Sequence, residues 1–168
     1  HTGISCMSQY NVVDRGSVVV IDKSFDIQDA ALFGCAVMTG VGAVINTARI
    51  RPGDSVAIIG LGGVGLNGII GAKLGGAETI IAIDIDPSKF SRAEELGATH
   101  CFDSRNNDTI EEIRTLTNGG VDYAIDLAGV IPAMNTAYQI IRYGGSVVTA
   151  GLSPINTQFS FNHSDLVA

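Results

Sequence analysis

Several classes of protein are excluded by what this sequence lacks. Its three cysteines, Cys6, Cys35 and Cys101, lie far apart with no CxxC pair. No even-numbered disulfide framework can be drawn from them, and the pattern suits a reducing, cytosolic setting. Basic residues are scarce: 10 Lys and Arg stand against 17 Asp and Glu, a net charge of −7. That balance argues against nucleic acid or an anionic membrane surface as partner. A long apolar run is also missing. The best candidate, 56–72, is 17 residues long, carries Asn67 and contains six glycines, which falls short of a membrane span. No repeat, low-complexity tract, long linker, signal peptide or lipidation motif is visible, although the chain starts at His1 with no Met.

Glycine and apolar residues are plentiful, at 21 glycines and 46% hydrophobic residues against 16% charged, as expected of a chain with large buried faces. The informative glycines follow the β-branched run Ser55-Val56-Ala57-Ile58-Ile59. They stand at 60, 62 and 65 in Gly60-Leu61-Gly62-Gly63-Val64-Gly65, ahead of a helical stretch. A second apolar run then closes on Asp84, 19 residues after Gly65. A bound dinucleotide needs each of these parts. The first glycine permits a tight turn, the second lets the backbone approach the pyrophosphate, and the third lets helix and strand pack closely. The helix start offers free N–H groups to phosphate, and Asp84 suits the adenosine ribose hydroxyls.

The surrounding pattern predicts short strands at 8–13 and 17–21 around a turn at Asp14-Arg15-Gly16, a short helix at 27–33 capped by Asp26, and a helix at 35–49. The fingerprint helix runs to about residue 74. Helices at 87–96, 108–117 and 132–141 then alternate with strands at 100–102, 121–127 and 146–150, the last after a turn at Gly144-Gly145. This alternation predicts an α/β fold, a doubly wound parallel sheet of order 3-2-1-4-5. The two ends fall outside that pattern, which suggests the end of one domain (1–36) followed by most of a second (37–168) that lacks its last strand.

Phe33-Gly34-Cys35-Ala36-Val37-Met38-Thr39-Gly40, Arg51-Pro52-Gly53-Asp54 and the glycine fingerprint follow one another in this order. Glu95-Leu96-Gly97-Ala98-Thr99, Gly119-Gly120-Val121-Asp122 and the early Ser8-Gln9-Tyr10 extend the set. Together they resemble the zinc-dependent alcohol dehydrogenases of the medium-chain dehydrogenase/reductase superfamily. The resemblance implies a β-rich remnant of a GroES-like catalytic domain followed by a Rossmann domain. The implied activity is hydride transfer between an alcohol or carbonyl compound and NAD, with zinc as Lewis acid in a homo-oligomeric, cytoplasmic parent. In the family a sixth strand commonly pairs across the dimer axis; without it the fifth strand's open edge is expected to pair weakly with another chain.

By the same resemblance, Cys35 is one of three protein ligands to the catalytic zinc and Thr39 touches the nicotinamide. Asp84 and Lys89 are the pair that holds the adenosine ribose, and Gly60, Gly62, Gly63, Val64, Gly65 and Ile85 are further cofactor-binding residues. Leu127, Ala128, Ala150 and Gly151 are backbone neighbours of the nicotinamide side, and Leu152 is a further cofactor-binding residue. The family's other zinc ligands and its proton relay have no counterpart in this sequence. From spacing alone, Cys35 reads as a small buried residue, Thr39 as an ordinary helix residue and Lys89 as a solvated charge. Two further readings stay open: a zinc-free quinone or enoyl reductase of the same superfamily, and a nucleotide sensor or S-adenosylmethionine-binding domain. Ile58-Ile59 ahead of Gly60, where a methyltransferase loop follows an acid, weighs against the last.

Overall fold

The computed structural model describes residues 8–163. The chain divides into two compact units, His1–Ala31 and Leu32–Ala168. The sequence boundary at 36/37 falls later than Leu32, and Cys6 lies outside the described residues.

In the first unit the strands expected at 8–13 and 17–21 are not formed. Residues 8–29 are exposed, with a single 3-10 turn at Arg15–Ser17 where the Asp14 carboxylate accepts a hydrogen bond from Gly16 N at 2.8 Å. Val19 and Val20 are almost fully exposed. A β-branched run becomes a strand only when a neighbouring ladder satisfies its backbone, and the described residues offer none. The helix at Asp26 is shorter than expected: α1 spans Ile27–Ala30, capped by Asp26 accepting from Gln28 N.

The second unit opens with helix α2, an α-helical Met38–Gly42 flanked by wider turns at Phe33–Val37 and Ala43–Ala48. It stops where Arg49 adopts the left-handed conformation. Next come β1 (Ser55–Ile59), α3 (Gly63–Leu74) and β2 (Thr79–Asp84). Helix α4 is a 3-10 turn at Pro87–Lys89 continued by Phe90–Leu96 and ended by Gly97 at φ +125°. Then follow β3 (His100–Asp103), α5 (Thr109–Leu116), β4 (Val121–Asp126), α6 (Ile131–Ile140) and β5 (Ile141–Thr149). All pairings are parallel and the order is β3-β2-β1-β4-β5, as the alternation predicts.

The central strands β1 and β2 are covered on both faces, so they are apolar along most of their length. Val56 and Ile58 of β1 face one core with Val44, Leu61, Ile69 and Ile80. Ala57 and Ile59 face the other with Ile81, Ile83, Ile113 and Ile140. The apolar run 56–72 is thus divided between β1, a loop and α3. Among the described residues one helical stretch, Ile27–Ala48, has the length and composition to cross a membrane. Its later part lies on α3 with backbones in near contact: a Cβ on Gly40 would strike Val64 O and lie 2.8 Å from Gly68 N.

β5 is longer than expected. Ile141 pairs with Val121, but Tyr123 pairs with Ser146, so the glycine pair is a bulge inside the strand. Gly144 sits at φ +73°, and a Cβ on Gly145 would lie 2.7 Å from Ile141 Cγ1 and 2.9 Å from Asp122 O. The feature that resembles a turn is therefore the place where β5 folds tightly against β4.

Asp122 joins three strands at the N-terminal edge of the sheet. Its carboxylate accepts from Ser55 N and Oγ, both at 2.7 Å, and from Arg142 Nε at 2.6 Å. Burial pushes this carboxyl up, yet the Ser55 bonds and the Arg142 guanidinium together hold it below its ordinary value. A carboxyl lowered by folding contributes stability above its unfolded value, which is lost as pH falls through the folded one. The drop in melting temperature between about pH 5 and about pH 3 is therefore expected to be smaller in Asp122→Asn than in the wild type. Equal drops in calorimetric scans would remove Asp122 from the acid response.

Candidate dinucleotide site

The sheet's crossovers diverge between β1 and β4, and three loops meet there at the carboxyl ends of the strands. Gly60 turns out of β1 at φ +91°, and a Cβ on it would lie 2.8–2.9 Å from three atoms of Ala128. A Cβ on Gly65 would strike the Gly60 carbonyl oxygen, so α3 can rest against the turn only with glycine there. Gly62 is the opposite case: the space where its Cβ would point is open. Helix α3 starts immediately after it with no side-chain cap, leaving first-turn N–H groups for a ligand. An open backbone cradle at the positive end of a twelve-residue helix fits a pyrophosphate.

Asp84 closes β2 beside this loop and is only 6% exposed. Its carboxylate accepts from Leu61 N at 2.6 Å, Asp86 N at 2.9 Å and Lys89 Nζ at 3.1 Å to each oxygen. Burial raises its pKa, but the two backbone N–H groups and the Lys89 ammonium outweigh it, so the group stays below the usual carboxylate range. Lys89 is thus an ion-pair partner of Asp84, not simply a solvated charge. A cleft of about 410 Å³ runs between these groups, walled by Gly60, Gly62, Asp84, Lys89, Ala128 and Thr136. Ile85 lines it too, from an exposed position.

A larger cavity of about 740 Å³ lies away from the loops, among Tyr138, Phe159, Phe161, Arg114 and Arg142. Its charged groups are already engaged, Arg114 with Gln139 O and Ile141 O and Arg142 with Asp122. The smaller cleft is where the phosphate cradle and the carboxylate converge.

The remaining sequence-selected residues divide into two sets. Leu127 and Ala128 leave β4 directly beneath the cleft, and Ala150, Gly151 and Leu152 leave β5 beside them. The contact is so close that a Cβ on Gly151 would strike Gly129 N. Cys35 and Thr39 are four residues apart on α2, where Ala36 Cβ lies 3.9 Å from the Cβ position of Gly63. Cys35 is exposed, contrary to the buried reading, and Thr39 is half-buried. Among the described residues no three His, Cys, Asp or Glu side chains converge to hold a metal, so the donor set here does not fit a catalytic zinc.

Asp126 was not selected from the sequence. It is 2% exposed at the end of β4 and bonds the two loops behind the cleft. An acid closing an apolar strand was the available signal, since Ile125-Asp126 repeats the ending of Ile83-Asp84.

A family model described as zinc-binding dehydrogenase matches residues 63–168. Alcohol dehydrogenase class-2 isozyme 2 of Oryctolagus cuniculus is 44% identical over 154 residues, covering 90% of this chain and 41% of that protein. Benzyl alcohol dehydrogenase from Acinetobacter calcoaceticus superposes with a TM-score of 0.85 at 33% identity, over 89% of this chain and 41% of its own. A zinc-binding dehydrogenase from Sinorhizobium meliloti 1021, bound to NADP, gives 0.74 at 32% identity, over 79% of this chain and 40% of its own. The chain therefore spans about two fifths of the length of these relatives.

Proposed function

The chain belongs to the zinc-binding dehydrogenase family, and on that premise we propose that it is the NAD-binding part of an oxidoreductase acting on an alcohol and its carbonyl partner. The observation that carries this reading is the open cradle at Gly62 with the Asp84 carboxylate closing the neighbouring strand. When bound, NAD supplies the hydride acceptor. The chain's own residues bind and orient it. First-turn amides of α3 hold the pyrophosphate, Asp84 and Lys89 the adenosine ribose, and the Gly60, Ala128 and Gly151 backbones set how deep the dinucleotide lies. Thr39 and Cys35, on the helix above the fingerprint loop, belong to the nicotinamide end. Cys35 would be one ligand of a zinc held by the whole protein, since the described residues do not complete the set. A small alcohol or aldehyde substrate and homo-oligomeric assembly form part of the same proposal and rest on the resemblance to the family.

The preference for NAD follows from Asp84. A carboxylate at the ribose 2′-hydroxyl accepts a hydrogen bond from NAD and repels the 2′-phosphate of NADP. Hydrogen bonds to charged groups contribute about 1.5–3 kcal/mol, so NAD is expected to bind at least about tenfold tighter than NADP. In Asp84→Ser the gap should narrow. Calorimetric titrations giving equal affinities for the two cofactors in the wild type would overturn the assignment.

A further inference from the structure

The loops that leave β4 and β5 are bound to a single buried residue. Asp126 Oδ1 accepts from Ala128 N at 3.0 Å and from Gly129 N at 3.3 Å, and Oδ2 accepts from Thr149 Oγ1 at 3.1 Å. Its backbone oxygen accepts from Ala150 N at 3.0 Å and Gly151 N at 3.2 Å. Four consecutive-pair amides on two separate loops thus depend on one position, and Leu127 N is anchored alongside by Ile59 O at 2.9 Å. The loops are also held in register by shape. Gly129 sits at φ +69°, where a Cβ would lie 2.7 Å from Leu152 N. Ser153 Oγ adds a bond to Gly129 O at 2.9 Å.

We infer that Asp126 is a positioning residue, a clamp that ties the end of β4 to the end of β5 and so fixes the backbone on the nicotinamide side of the cleft. This rests on the dinucleotide reading given above. Asp84 and the Gly62 cradle lie across the cleft on β2 and α3 and do not bond to Asp126, so the clamp should act on one half of the cofactor only. Truncating the side chain takes the carboxylate from three donors, Ala128 N, Gly129 N and Thr149 Oγ1, and leaves buried N–H groups unsatisfied, which is costly enough to displace the loops.

The test compares NAD with AMP, which occupies only the adenosine half, by titration of the purified chain followed by backbone-amide NMR. Asp126→Ala is expected to weaken NAD about tenfold while AMP changes less than about twofold. Asp126→Asn keeps an acceptor toward Ala128 and Gly129 and can donate to Thr149, so it should restore most of the NAD affinity. If NAD and AMP weaken in step, or asparagine fails to rescue, the inference is overturned. Should Asp126→Ala not fold, Thr149→Val decides. A loss of about threefold for NAD alone, with faster amide exchange at Ala128 and Gly129, supports the clamp, and unchanged NAD binding refutes it. A wild-type chain that binds neither ligand would instead overturn the dinucleotide reading itself, and the inference with it.

Discussion

Gly65→Ala is expected to give a chain that melts several degrees below wild type and has lost at least about a hundredfold in NAD affinity. In an exposed helix the same change would help, by about 1 kcal/mol of helix propensity. Here the added methyl meets the Gly60 carbonyl oxygen directly and lies 2.9 Å from Gly60 C. The obstacle is backbone in a turn at φ +91° whose amide is bonded to Ile83 O, so no flexible side chain can yield. Overpacking of this kind costs about 1–3 kcal/mol or more, which outweighs the propensity gain. Relief comes only by moving α3 off β1, and that movement carries its first-turn amides away from the phosphates. Two neighbouring substitutions separate the causes. Gly63→Ala places its methyl at an ordinary 3.9 Å from Ala36 Cβ and should leave stability nearly unchanged. Gly62→Ala enters open space, so it should fold normally while weakening NAD. Wild-type melting and binding in Gly65→Ala would show that the close approach of helix and turn does not matter. Normal NAD binding in Gly62→Ala would remove the pyrophosphate from the cradle.

The second large effect concerns Cys35. Because it is exposed and belongs to no group of three metal-binding side chains among the described residues, the chain is expected to hold no stoichiometric zinc and to oxidise no alcohol. A single thiolate does not retain zinc, whose affinity comes from several ligands fixed around it. Peptide mapping after brief alkylation should find Cys35 modified well before Cys101. Cys101 is half-buried, with burial and then the nearby Glu94 carboxylate pushing its thiol up to about 11. In a full-length dehydrogenase carrying this segment, Cys35→Ala should abolish both metal retention at the catalytic site and turnover. Stoichiometric catalytic zinc and normal turnover in that variant would make Cys35 a packing residue and favour the zinc-free reductase.

The β1–α3–β2 unit was legible because its strands are buried on both faces and its helix start is marked by glycine. The strand order followed from the handedness of successive crossovers. The runs at 8–13 and 17–21 misled because alternation reports a residue's suitability for a ladder and not whether a partner strand is present. The glycines at 144 and 145 gave the right location and the wrong feature. Whether such a pair reverses the chain or bulges a strand depends on what packs against it, here Ile141 and the Asp122 carbonyl. The pairing of Lys89 with Asp84 was expected only from the resemblance, since five residues of separation do not show that a 3-10 turn will aim the ammonium at a strand end. Asp126 escaped because its partners at Thr149, Ala150 and Gly151 become neighbours only when β5 docks.

The central position of β1 also sets the order in which the chain can assemble. Its pairing with β2 joins Ser55 to Thr79, but its bond to β4 joins Ser55 to Asp122 across 67 residues. The entropy of closing the longer loop exceeds that of the shorter by only about 0.9 kcal/mol, since the cost grows with the logarithm of length. The delay during synthesis is greater. All of the β1–α3–β2 unit, with the Gly60–Gly65 loop and the Asp84 carboxylate, is present in the chain once Asp84 has been added. The opposite wall, Leu127 and Ala128, does not yet exist, and one edge of β1 stays open until β4 emerges. A nascent chain at that stage holds half a cleft, with its central strand still accepting a partner.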